Sequence, residues 1–502
     1  MNTRHFLSLA ALAIAATLTA CGGGGGGNSA SSFAPAPSPP SGQAPSAFLP
    51  SSTYANMCAA PRTGTDSDGN PFPDRQGTLA DEKAFLRSWI DEDYLWYREV
   101  PTNLDPAAYP TVHDYFNVLK SGELTASGKP KDQFHFTYST AEWEALQSAG
   151  VSLGYGITWS RLASSAPRTW YASMVEPGSP AAVAGVRRGD QLILVDGVDF
   201  TNGTGTDNVN KINAALFPET VGESHSFAFS RSGTVVTARM TAQEVASTPV
   251  QNAKVITTPT GKVGYLTFNS HNAVAERQLV DAFNMLRGQN VSDLVLDMRY
   301  NGGGLLYMAG QIGYMIAGPD QSRGKDFERM IRNDKRPALE PVPFVNTTLG
   351  FPTPNPVPQG NPLPWLGLKR VTILTTAGTC SASEAVINGL RGIDVEVNII
   401  GARTCGKPYG FIPKDNCGTT YFAIELQGQN AKGFGDYADG FAASCTVPDD
   451  LTRALGDPAE GMLAAALRYR ETGQCDVSTS RARVMPLELV RHPAHEVGIL
   501  DR

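Results

Sequence analysis

The spacing of apolar positions changes character along the chain. Between 247 and 472, short apolar runs alternate with amphipathic stretches. Val263–Phe268, Leu294–Arg299, Val371–Thr375 and Val397–Ile400 read as buried strands. Ala273–Arg287, Leu305–Ile316 and Glu384–Leu390 carry helical spacing between them. That alternation predicts an α/β region with a mainly parallel sheet covered by helices. A Pro/Asn/Gly-rich stretch from Gly318 to Pro364 interrupts it and is expected to be a surface excursion or lid. Upstream, 58–149 places Ala84, Phe85, Trp89, Tyr94, Leu95 and Trp96 near helical spacing, which predicts a small helical module with an aromatic core. Residues 150–246 read as β-rich, and 473–502 as a tail.

The first 20 residues fit a secretory signal: Arg4 and His5, then an uncharged apolar run from Phe6 to Ala20, too short to span a bilayer comfortably. The run ends Leu18-Thr19-Ala20-Cys21, which resembles a bacterial lipobox and implies a lipid anchor on Cys21. Residues 21–57 are glycine-, serine- and proline-rich and read as a flexible tether. The expected location is the bacterial cell envelope, at the outer membrane facing the periplasm. A net charge of −7 with no basic stripe argues against nucleic acid. Six further cysteines in an exported chain permit disulfides. The sequence-local pairs are Cys405 with Cys417 and Cys445 with Cys475. No Cys-x-x-Cys occurs, the pair His492 and His495 is a weak metal signal, and no metal or organic cofactor is expected.

Within 150–246, Leu153-Gly154-Tyr155-Gly156 is a glycine-bracketed turn entering a strand. Ser179-Pro180 suits a helix start, the serine as cap and the proline at the first helical position. Arg188-Gly189-Asp190 then turns into the buried run Gln191–Val195, closed by Asp196-Gly197. This order resembles a bacterial PDZ domain. The resemblance implies that a peptide adds as a strand, its C-terminal carboxylate held by backbone N–H groups at Leu153, Gly154, Tyr155 and Gly156.

Chemistry concentrates in three turns. Asn301-Gly302-Gly303-Gly304 follows one strand, and Thr379-Cys380-Ser381-Ala382-Ser383-Glu384 leads into a helix. Gly406-Lys407-Pro408 lies in a glycine-flanked turn, its lysine 26 positions after Ser381. A lysine stripped of water can act as general base for a serine. Together these turns resemble the C-terminal processing protease family of Ser–Lys peptidases, over roughly Ala80 to Tyr469. The resemblance implies a Clp/crotonase-like peptidase core with a PDZ-like domain and a small N-terminal helical module. It makes Ser381 the nucleophile and Lys407 the base, with N–H groups of Gly302, Gly303 and Ser381 as the oxyanion hole. Phe411 stands where the family often has a glutamine, and the serine–lysine spacing is one residue longer than the family pattern.

Competing readings exist for two of these turns. Ser381-x-x-Glu384 is also a helix capping box, and Glu384 could support the site or only cap. His271 is an alternative base. Gly401–Lys407 begins like a phosphate loop, but Pro408 replaces the magnesium-binding hydroxyl. The expectation is a lipid-anchored serine endopeptidase acting on envelope proteins or peptides, engaged through free C-termini. The alternative is a non-catalytic PDZ-containing peptide-binding lipoprotein.

Overall fold

A computed structural model describes residues 48–66, 69–145, 150–475 and 487–490. Cys21, the signal and the tether up to residue 47, and the pair His492 and His495 lie outside the described residues, whereas 48–57, read as tether, is ordered: the Ser51 N–H donates to Glu92 and Met57 pairs with Arg75. The centre is a six-stranded sheet in the order Val250–Thr258, Gly261–Phe268, Asp293–Asp297, Arg370–Thr375, Glu396–Gly401, Cys445–Thr446. The first pair is antiparallel and the remaining pairings are parallel.

Side chains alternate across the sheet, so each strand feeds two cores. Leu266, Leu294, Leu296, Val371, Ile373, Val397 and Ile399 face the helices Ala275–Gly288, Leu306–Ala317 and Ala382–Gly392. Val263, Tyr265, Val295, Leu374 and Ile400 face the helix Gly461–Thr472. The three turns all follow carboxyl ends of adjacent parallel strands, where open α/β sheets place their sites.

The stretch expected as an excursion is built into the body instead. Asp326–Ile331 pairs with Leu426–Gln429. Phe344 and Leu363 are buried in the main core. Buried Glu276 accepts the N–H groups of Leu349 and Gly350 at 2.6 and 3.0 Å. The physical reason is that its scattered apolar residues are anchored by a carboxylate from a distant helix, a link that local composition does not show.

The N-terminal helix Leu79–Asp93 starts at Thr78, whose hydroxyl caps the Asp81 N–H while Asp81 reaches back. Its Phe85 and Trp89 pack with Tyr409, Phe411, Tyr421 and Phe422, so this module shares a core with the segment after Lys407. Strand Phe136–Ser139 pairs with Thr419–Phe422. Two disulfides differ from the sequence-local expectation. Cys417 bonds Cys58, and Cys405 bonds Cys380; Cys445 does bond Cys475. Cys58 lies 359 positions from Cys417, so the shared core, not spacing, sets that partner.

The β-rich domain orders its strands Thr234–Thr241, Ser224–Arg231, Gln191–Val195, Thr169–Val175, Ile157–Ala163. Ser179 caps its short helix by accepting the Ala182 N–H. Arg188 fastens it to the core through Asp449 at 2.6 Å and the Arg453 carbonyl at 3.0 Å. Among the described residues no helix is long and apolar enough to cross a membrane.

Candidate active site

Strand Arg370–Thr375 ends in a turn, and Ser381 stands at the head of the helix Ala382–Gly392. Its φ of 56° with ψ of −118° is a conformation that non-glycine residues rarely hold, at a cost of roughly 1–3 kcal/mol. Three residues hold it there. Cys380 is tied by its disulfide, and its N–H donates to the Asn301 carbonyl at 3.1 Å. Glu384 Oε2 accepts the Ser381 N–H at 3.1 Å. Gly303 presses against the turn so closely that a Cβ there would fall 2.8 Å from the Ser381 Cβ.

Glu384 is fully buried and does more than cap its helix. Its carboxylate accepts the Thr404 hydroxyl at 2.5 Å, the Gly406 N–H at 2.9 Å and the Lys407 N–H at 2.8 Å. Burial pushes this carboxyl above the ordinary range, and its donors pull it back. One side chain therefore joins the serine turn to the lysine turn, and the Cys380–Cys405 disulfide joins them a second time. Among the described residues, Cys380, Glu384 and Cys405 form the one cluster with metal-ligand atoms close together. Its sulfurs are spent in the disulfide and its carboxylate on the two turns.

Lys407 is buried, with Nζ 4.0 Å from the centre of the Phe411 ring and 5.2 Å from that of Phe134. The residue that departs from the family pattern is thus the ring against which the lysine lies. Ser381 and Lys407 line one pocket, together with Gly304, Leu306, Glu328, Met330, Tyr409 and Tyr437. Glu328 was not singled out from sequence, because it lies in the stretch read as an excursion. Burial alone pushes its carboxyl up to about 8. A Cβ on Gly428 would fall 1.3 Å from its Oε1, so the opposite strand leaves room for it.

The remaining predicted residues are placed as follows. Gly303 donates its N–H to Asn301 Oδ1 at 2.9 Å, so with Ser381 two of the three expected oxyanion donors already serve internal acceptors. Gly302 is half-buried at the head of that turn. His271 is fully buried, bonded through Nδ1 to Asn301 Oδ1 at 3.1 Å, and burial lowers it to about 4. It is not among the pocket-lining residues. In the β-rich domain Gly154 and Gly156 have positive φ, and Leu153 is exposed. Tyr155 turns inward, its ring 5.4 Å from that of Phe227, which leaves only its backbone for a peptide.

Three family models match the chain. The Peptidase S41 N-terminal domain matches residues 81–138, a PDZ domain 153–215, and Peptidase family S41 262–411, a span holding both Ser381 and Lys407. Over these spans the chain resembles peptidase family S41 and its N-terminal domain, with a PDZ domain between them. It is similar to the carboxyl-terminal-processing protease of Picosynechococcus sp., 34% identical over 132 residues, 26% of this chain and 30% of that protein. It is also similar to the chloroplastic carboxyl-terminal-processing peptidase 2 of Arabidopsis thaliana, 25% identical over 253 residues, 46% of this chain and 47% of that one. The chain thus spans less than half the length of these curated relatives. A solved S41 protease from Bacteroides fragilis shares the fold, with a TM-score of 0.61 and 24% identity, covering 78% of this chain and 97% of that one.

Proposed function

We propose that this protein is a serine endopeptidase in which Ser381 is the nucleophile and Lys407 its base. The observation that carries the reading is that Ser381, held at a strained helix head, and buried Lys407 open into one pocket. A buried lysine loses the hydration that favours its charged form, which is what a general base needs. In this reading Lys407 Nζ takes the proton as Ser381 Oγ attacks the scissile carbonyl. The proton passes to the leaving amine, an acyl-enzyme remains, and water attacks it to release the second product. Glu384 acts as a positioning residue that fixes the distance between the two turns. The oxyanion would use Gly302, Gly303 and Ser381 N–H groups, two of which must first let go of Asn301 and Glu384.

The proposed substrates are peptides or unfolded proteins, with free C-termini taken by the turn at Leu153–Gly156. The proposed setting is the cell envelope, through a lipid on Cys21. One observation favours a second reading, a peptide-binding protein without turnover: the two oxyanion donors are engaged. Purified protein, S381A, K407A and H271A, each incubated with unstructured protein and followed by mass spectrometry, separate the readings. The proposal expects cutting by the parent and H271A only. Cutting by S381A at the parent rate refutes the nucleophile, and cutting by K407A but not H271A moves the base to His271.

A further inference from the structure

The edge of the β-rich domain to which a peptide would add is already occupied by this chain. Glu488–Leu489 pairs antiparallel with Ile157–Ala163, setting Glu488 opposite Arg161 and Leu489 opposite Ser160. The Val490 N–H donates to the Trp159 carbonyl at 2.9 Å. Glu488 Oε2 lies 3.3 Å from Arg161 Nε. The segment runs from Arg161 toward Trp159, and so toward the glycine turn at Leu153–Gly156, as a bound peptide end would.

Its side chains reach two bodies. Val490 packs on the core of the β-rich domain. Leu489 packs with Met174, Tyr300 and Leu455. It also lies on Gly378, three positions before Ser381, where a Cβ would fall 2.2 Å from Leu489 Cδ1. The same three residues therefore fill a strand-addition edge and rest on the nucleophile turn.

We propose that Glu488–Val490 is the resident ligand of the strand-addition edge and restrains the peptidase site, and that the external partner of this edge is an extended peptide of the same pattern, an acidic residue followed by two apolar ones. Such a peptide must displace the tail, so its apparent affinity is its intrinsic affinity multiplied by the fraction of molecules with the edge open. Arg161 reads the acidic residue, and the contact at Gly378 couples exchange of the occupant to the turn that carries Ser381.

The test uses the full chain. E488R/V490P reverses the ion pair and removes the N–H that bonds Trp159. In an S381A background, which prevents cleavage, fluorescence anisotropy follows a fluorescein-labelled peptide ending Leu-Glu-Leu-Val. At least tenfold tighter binding is expected in E488R/V490P than with the native tail, and adding R161E should abolish the gain. Equal affinity with native and altered tail overturns the occupancy. With Ser381 intact, E488R/V490P should raise kcat/KM on unfolded protein severalfold, and a binding gain without that rise overturns the restraint. The restraint presupposes the peptidase reading, whereas the binding measurement does not. A chain that never cuts therefore fails that reading and leaves occupancy decided by anisotropy.

Discussion

Glu384→Gln is the most informative single change in the clamp between the two turns. Glutamine keeps the size but supplies one acceptor oxygen where the carboxylate supplies two. With its oxygen in place of Oε2 it keeps the Ser381 and Lys407 N–H groups, but faces the Gly406 N–H with an amide donor. In the other flip it loses both Ser381 and Lys407. At least one buried N–H is orphaned, at about 1–3 kcal/mol, partly offset because no charge is then buried. Glu384→Ala removes all four interactions and leaves a cavity, for roughly 3–5 kcal/mol. Guanidinium unfolding at neutral pH with the disulfides intact measures the first effect, and kcat on unfolded protein the second. The expected order of both is parent, E384Q, E384A. A glutamine variant within about 0.5 kcal/mol of the parent, which is the range of an indifferent surface change, and with full turnover refutes the clamp.

Other expectations follow from the same geometry. Glu328 keeps its proton in the fold up to about 8 against an ordinary 4.5. Its contribution is therefore fully present below the lower value and declines as pH rises toward the higher one, by up to roughly 5 kcal/mol, so unfolding free energy measured from pH 5 to 8 should fall more steeply in the parent than in E328Q. Parallel curves would contradict this. His271 titrates near 4 in the fold against 6.5 outside it, so its stabilising effect is present above the higher value and is lost as pH falls through the lower one. H271N should flatten that acid limb and leave turnover within a few-fold. Replacing Cys380 and Cys405 together by serine opens a loop of 25 positions, which should cost roughly 3–4 kcal/mol in denaturation and depress kcat. Unchanged kcat would mean that Glu384 alone sets the distance between the turns.

Much of this was legible where local pattern carries the information. Leu294–Asp297 and Val371–Thr375 are apolar runs long enough for buried strands, and turn residues follow them, so the sheet and the position of the three turns could be read. What pattern could not supply were contacts between distant positions. The Cys58–Cys417 bond and the aromatic core shared by Trp89 and Phe411 depend on how the N-terminal helix docks. Glu384 was readable as a cap because its partner is three residues away, whereas its bonds to Gly406 and Lys407 cross to another strand's turn. Glu328 hides in a stretch whose prolines and glycines resemble a loop. Glu488–Leu489 is too short to signal a strand without the edge that receives it.

The measurement that tests the central claim most directly is covalent trapping of the nucleophile. Parent and S381A would be treated with a fluorophosphonate, then digested and mapped by mass spectrometry. The account predicts one adduct, on the Ser381 hydroxyl, with loss of peptide-bond cleavage in proportion to labelling and no adduct in S381A. An adduct on another residue, or full cleavage with Ser381 blocked, would contradict it.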